Sequence, residues 1–436
     1  MEDFPKIFEQ KLAASEQVPV SDWVQQALDK AQKLEVAPYE KTLANKLIQK
    51  AFTFVSEKHY SLGNVLAAAF DLFIATQYYR SVAHTGWYYC PKDAPMLFYP
   101  FTNVCPRCML AGEFHFEEAN KPESGAIGQA TSRLLSVFLN QLFERTGRKL
   151  TIYRGSEPVD MLIYDERENV VLLVEIKAAP LTTLALAVAS DEMLVLSEEG
   201  ILTPITTHSS SNNPSLSATE LLLFTPTKQG NDRSYRFVHL GKIDVHNTIW
   251  TYGSVEQALD QDSNFFEEYL QFWLEAFESY KENYRASRRG QQFKSNTTFW
   301  FTNACGQPYP RPNDWPKRSG TGYRSVSDGK TSVGMDRTDD IKKGIYQVLK
   351  VGAESKPNSS GFKVKTALIS NIHAVRHYDE YLQSLEDVVW LIDKSQKAKM
   401  VNDLPDDTPV YSLFDGIITF TESHIRDEWI KENFIF

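Results

Sequence analysis

The chain has 436 residues, of which 42% are hydrophobic and 23% charged, with a net charge of −10; this is ordinary for a globular protein of roughly two to four structural units. Its longest near-apolar stretch, Val65 to Tyr79, is broken by Asp71 and Gln77, its start lacks a basic segment followed by an apolar one, and it has four cysteines. A membrane span, a secretory leader and a disulfide framework are therefore not expected, and a reduced, cytoplasmic setting is.

Residues 1–87 read as helices. Val20 to Leu34, Tyr39 to Ser56 and Leu62 to Ser81 carry apolar residues at spacings of three and four, with few strand signals. This predicts an N-terminal helical domain that packs on a core, joins two copies or contacts DNA. Residues 88–120 hold Cys90-Pro91-Lys92-Asp93 and Cys105-Pro106-Arg107-Cys108. The repeated Cys-Pro-basic pattern resembles two zinc knuckles of a ribbon, whose turns aim thiolates at one metal. Tetrahedral zinc takes four ligands, so Cys90, Cys105 and Cys108 need a fourth from Asp93, His84 or His115, and a closed set of this kind implies a structural Zn²⁺. Cys305 has no such neighbours and reads as a small buried residue.

The segment 121–180 is the most informative. A helix from Lys121 carries Leu134, Leu135, Phe138, Leu142 and Phe143 at helical spacing. Two runs of strand length follow, Pro158 to Tyr164 and Val170 to Ala179, joined by a polar turn and forming a predicted β-hairpin. Glu175 and Lys177 lie two positions apart, so they project from one face of their strand. With a four-residue loop, Glu166 to Asn169, pairing sets Asp160 across from Glu175; a five-residue loop would turn Asp160 to the other face. Burying such charges among valines and leucines is costly unless compensated, and a hard divalent cation between carboxylates is the usual compensation.

Residues 181–335 form a long segment before the next α/β elements. It contains a low-complexity patch at 208–217, acidic helices over Ser254 to Tyr284, and a basic window. From Lys281 to Lys330, ten Lys or Arg face three acids, a net +7. Arg285, Arg288, Arg289, Lys294, Arg311, Lys317, Arg318, Arg324 and Lys330 are the candidates for neutralising DNA phosphates or reaching base edges. Within 336–436, Asp336 to Lys350 reads as a helix starting at Thr338 or Asp339, and Phe362 to Ile372 as a strand. His373 and His377 are spaced for a metal on a helix, but their place at a strand's end favours packing or solvation.

Asp160, fourteen intervening residues and then Glu175-Ile176-Lys177 resemble the active-site motif of the PD-(D/E)xK nucleases, best known from type II restriction endonucleases. Here Val159 stands between the motif's proline and its aspartate. The resemblance implies an α/β fold: a restriction-endonuclease-like core in which helices flank a mixed sheet, joined to the helical domain, the zinc-ribbon-like element and a DNA-recognition insertion. It also implies Mg²⁺ held by Asp160, Glu175 and the Ile176 carbonyl, with Lys177 positioning water. The family's preceding helix often supplies another ligand, for which Glu123 and Gln129 are candidates, and its following helix a supporting group, for which Lys343 and Gln347 are candidates. The implied activity is sequence-specific hydrolysis of double-stranded DNA within a restriction-modification system, by a homodimer if the target is palindromic, with no nucleotide cofactor. The alternatives are a nuclease of the same core acting in repair, transposition or defence without strict specificity, and a non-catalytic zinc-stabilised DNA-binding protein.

Overall fold

In the computed structural model the described residues are 31–82, 124–155, 159–189, 220–229, 232–242, 249–288, 333–357 except 337, 361–391 except 376, and 403–435, with shorter pieces at 24, 28–29, 97–98, 194–196, 202–204, 244, 247, 298 and 301–303. In chain order the elements are β1 (Gln32–Lys33), α1 (Pro38–Lys58), α2 (Leu62–Val82), β2 (Leu97–Phe98), α3 (Ser124–Thr146), β3 (Thr151–Arg154), β4 (Met161–Asp165), β5 (Val170–Ile176), β6 (Ala185–Ala189), β7 (Leu194–Leu196), β8 (Leu202–Pro204), β9 (Glu220–Gln229) and β10 (Asp232–Lys242). They continue with α4 (Trp250–Gln261), α5 (Phe265–Arg288), α6 (Thr338–Ser355), β11 (Lys363–Ser370), β12 (Val389–Trp390), β13 (Tyr411–Ser412), β14 (Gly416–Thr419), β15 (His424–Ile425) and α7 (Glu428–Phe434).

The architecture is α/β, built on a seven-stranded mixed sheet in the order β1-β3-β4-β5-β11-β14-β15. β3, β4 and β5 form an antiparallel meander, after which β11 pairs in parallel with β5 and β14 in parallel with β11. β5 lies at the centre and is buried along its whole length, as its unbroken apolar run predicts for a strand covered on both faces. One face, through Met161, Ile163, Leu172, Val174 and Ile176, shares a buried cluster with α1, α2 and α3. The other, through Leu162, Val171 and Leu173, packs on Val351 of α6.

The expected helix over Val20 to Leu34 is corrected at its end. Gln32 and Lys33 pair with Arg154 and Tyr153 as the sheet's edge strand, because the ladder offered by β3 outweighs a local helical pattern. The two following helices lie where the spacing predicts. α1 starts at Pro38, where a missing N–H costs nothing, and the Glu40 carboxylate accepts from Ala37 N (3.2 Å). Glu40 is buried because Arg133 of α3 pairs with it. The segment after β5 builds a second sheet, β10-β9-β6-β2. Its Leu186, Leu223 and Phe224 join the same buried cluster as α2 and α5, so the described parts of this segment are welded to the main core.

Asp71 of α2 is the polar centre of that junction. It is fully buried, yet its carboxylate accepts from Leu181 N (2.7 Å), Thr182 N (3.2 Å), Trp273 Nε1 (2.7 Å) and Asn371 Nδ2 (3.0 Å). Burial pushes its carboxyl up to about 7 in spite of these donors. No described helix is long and apolar enough to cross a membrane.

Candidate functional site

The hairpin turn has the four residues Glu166 to Asn169, with Asp165 opposite Val170. Asn169 takes the left-handed conformation (φ 53°), and Asp165 Oδ1 accepts from Arg167 N (3.0 Å) and Glu168 N (3.3 Å), which closes the turn. From there the register runs regularly to Met161 opposite Val174. It then slips by one residue: Asp160 N donates to Val174 O (3.1 Å), so Asp160 does not form the regular pair with Glu175 that the loop length predicts. The cause is Val159, which is 5% exposed and packs in the α6-side cluster with Leu162 and Leu173. Burying that side chain bends the strand as a bulge would.

The slip still leaves the two acids beside one another. Asp160 is exposed, and its Oδ2 accepts from Ile176 N (2.8 Å), the amide directly after Glu175. Glu175 is 8% exposed and receives a hydrogen bond from Lys177 Nζ. Burial pushes the Glu175 carboxyl up to about 7; the Asp160 charge adds to the rise, and Lys177 opposes it. Lys177 lies under α6, within van der Waals contact of Gly344: a Cβ there would sit 3.6 Å from the lysine Cγ, and 3.1 Å from Leu368 Cδ2. Its backbone is fixed as well: Lys177 N donates to Ile369 O (2.9 Å) across the parallel pairing with β11. A small cavity beside Glu175 is lined by Val159, Leu173, Gln347, Val348 and Val351. Gln347 Oε1 faces no hydrogen-bond partner.

The remaining sequence candidates divide plainly. Gln347 lines the cavity beside Glu175, whereas Lys343 of the same helix is exposed. Gln129 is exposed on α3, and Glu123 lies outside the described residues. So do Cys90, Cys105, Cys108, Asp93, His84, His115, Cys305 and the patch 208–217. Of the basic window, Arg285 and Arg288 belong to α5 without described side chains, and Arg289, Lys294, Arg311, Lys317, Arg318, Arg324 and Lys330 lie outside the described residues. His377 packs: it is buried, its N donates to Asp336 Oδ1 (2.9 Å), and its Nδ1 lies 3.0 Å from Glu380. Asp336, at the mouth of α6, is fully buried and also accepts from Val375 N (3.0 Å) and the Tyr280 hydroxyl.

His373 has a different company from the one its spacing to His377 suggests. It lies after β11 beside Glu422 and His424, which flank the β14–β15 turn, and the ligand atoms of the three residues fall within 4.8 Å of one another. Local sequence could not reveal this group, since β11–β14 pairing brings together residues some fifty positions apart. The run Thr421-Glu422-Ser423-His424 after a short apolar strand was the one available signal. Comparison with known proteins returns nothing: no family model matches the chain, and no curated protein and no solved structure is significantly similar to it.

Proposed function

We propose that the protein is a metal-dependent DNA endonuclease of the PD-(D/E)xK type, resembling a type II restriction endonuclease. One observation carries the reading: Asp160 binds the amide next to Glu175, while Lys177 reaches the same Glu175 carboxylate from its own strand. The element order supports it. A helix (α3), the meander β3-β4-β5, a helix (α6) and a strand parallel to β5 (β11) follow one another as the family's core requires.

The donor set fits a hard divalent cation. Two carboxylates lie together with one ammonium, and burial, with the Asp160 charge adding to it, pushes Glu175 up, a cost that a bound cation would relieve. Asp160, Glu175 and the Ile176 carbonyl would hold Mg²⁺, which supplies Lewis-acid polarisation of a phosphate and a bound water of lowered pKa. Lys177 orients the attacking water and balances the charge that develops on the phosphate oxygens. The water oxygen adds to phosphorus and the bond to the 3′ oxygen breaks, leaving a 5′-phosphate and a 3′-hydroxyl. Exposed Asp160 marks the side from which the substrate enters. The assignment of double-stranded DNA as substrate rests on the resemblance and on the +7 window.

The test is incubation of the purified protein with sequenced plasmids and Mg²⁺. Discrete fragments are the expected result, smears or nicks would indicate a nuclease without strict specificity, and no cleavage by the wild-type protein would overturn the proposal.

A further inference from the structure

We propose that His373 Nδ1, His424 Nε2 and the Glu422 carboxylate bind one divalent transition-metal ion of the zinc class, at a site separate from the Asp160–Glu175 pair. The geometry rests on ring nitrogens that have nothing else to do. His373 is 9% exposed, and its Nδ1 is sealed from solvent with no hydrogen-bond partner. With no donor opposite it, Nδ1 has its lone pair free in the tautomer that carries the proton on Nε2.

His424 is arranged in the same way. Its Nδ1 lies 2.9 Å from the Tyr378 hydroxyl, so that is the ring nitrogen this hydrogen bond engages. Glu386 Oε1, within 3.3 Å of His424 Nδ1 but outside hydrogen-bond geometry, adds its charge on that side. That negative charge favours the proton on Nδ1 and the lone pair on Nε2, which is also buried without a hydrogen-bond partner. Glu422 Oε1 lies 3.4 Å from that nitrogen, as an ion-pair contact without hydrogen-bond geometry. An imidazole whose far nitrogen is engaged by a hydroxyl and lies near a carboxylate, as His424 is, matches how metal-binding histidines are held in protein sites.

Two imidazoles and one carboxylate are ligands for Zn²⁺ or a similar borderline ion rather than for Mg²⁺, which prefers oxygen. The third ligand is held by a turn with little freedom: Glu422 N donates to Thr419 Oγ1 (2.9 Å), and Thr421 Oγ1 accepts from His373 N (2.8 Å). The Glu422 side chain is 63% exposed, which gives the ion a way in and leaves a coordination position towards solvent. Bound there, the ion would fasten the chain leaving β11 to the β14–β15 turn.

The experiment uses the full chain, stripped by chelator and then titrated with Co²⁺ in excess Mg²⁺, which occupies oxygen-ligand sites. Absorption from thiolate-to-cobalt charge transfer reports any ion held by the cysteines and so separates it from this one. One equivalent bound without that absorption is expected. In Glu422→Ala, whose solvent-facing side chain can be removed without loss of packing, its affinity should fall at least about tenfold, and in Tyr378→Phe by a similar factor. His373→Ala/His424→Ala should lack this equivalent altogether. Absence of a thiolate-free equivalent in the wild-type protein, or its retention at unchanged affinity in Glu422→Ala, would overturn the site.

Discussion

Asp71 and Glu175 are both acids buried beside apolar strands, and burial lifts both carboxyls to about 7, yet their surroundings differ in kind. Asp71 is met by four donors from three separate segments and has no acid beside it among its hydrogen-bond partners. Among the described residues Glu175 has one donor, Lys177, an acid close by in Asp160, and a cavity along its flank. The lesson is that a raised carboxyl does not by itself mark a working site. What marks it is whether the protein has completed the group's partners or left the remainder to something that binds.

The largest effect expected from breaking this contrast is on cleavage. Asp160→Ala and Lys177→Ala should each lower the rate of DNA hydrolysis by about a thousandfold or more while leaving DNA affinity largely intact, as read by plasmid digestion and gel shift. Residual cleavage equal to wild type in both variants would remove these residues from the mechanism. Asp71→Ala should act on stability instead. It strands several buried donors at once and should cost roughly 5 kcal/mol in urea unfolding. A loss under about 1 kcal/mol would show that the donors find other acceptors.

The same residue sets a pH dependence. Asp71 has a folded-state value raised above its unfolded one, so its contribution is fully present below the ordinary carboxylate range and is lost as pH rises through about 7. The size is on the order of 4 kcal/mol, and Asp71→Asn should flatten the slope of stability between pH 4 and 8. An unchanged slope in that variant would assign the dependence elsewhere. Glu175→Gln should go the opposite way to Asp71→Ala. Relieving a buried charge next to Asp160 should stabilise the fold by about 1 kcal/mol while abolishing cleavage, the trade expected where an active site is kept at the expense of stability. The smallest effect is a surface control: Lys41→Ala removes an exposed pair with Glu144 (3.0 Å) and should change unfolding by about 0.5 kcal/mol or less.

Much of this contrast is legible in the amino-acid sequence. The unbroken apolar run of Val170 to Val174 announces a central strand, the polar turn fixes the hairpin, and the Glu175–Lys177 spacing fixes their shared face. The helix at Thr338 and the strand at Lys363 follow from local pattern in the same way. The misses share a physical cause, namely that long-range packing leaves no local trace. In sequence Val159 merely separates the motif's proline from its aspartate, whereas in the fold it is buried and the last pair of the ladder is out of register. His373 was weighed against His377, its neighbour in sequence, whereas β11–β14 pairing supplies Glu422 and His424. Asp71 looked like an interruption in an apolar stretch, because its partners lie on α5 and on the segments leaving β5 and β11.

The parallel seam between β5 and β11 has a consequence for the birth of the chain. On its β11 side Val170 finds its ladder partner in Lys363, so on a ribosome the hairpin emerges long before the strand that will cover its inner edge. During that interval a strand that is apolar from Val170 to Val174 shows unpaired amides and carbonyls along one edge, a template for joining another nascent chain. Chaperone capture, or slow translation that keeps copies apart, would be a requirement of production, and yield should fall steeply with expression rate.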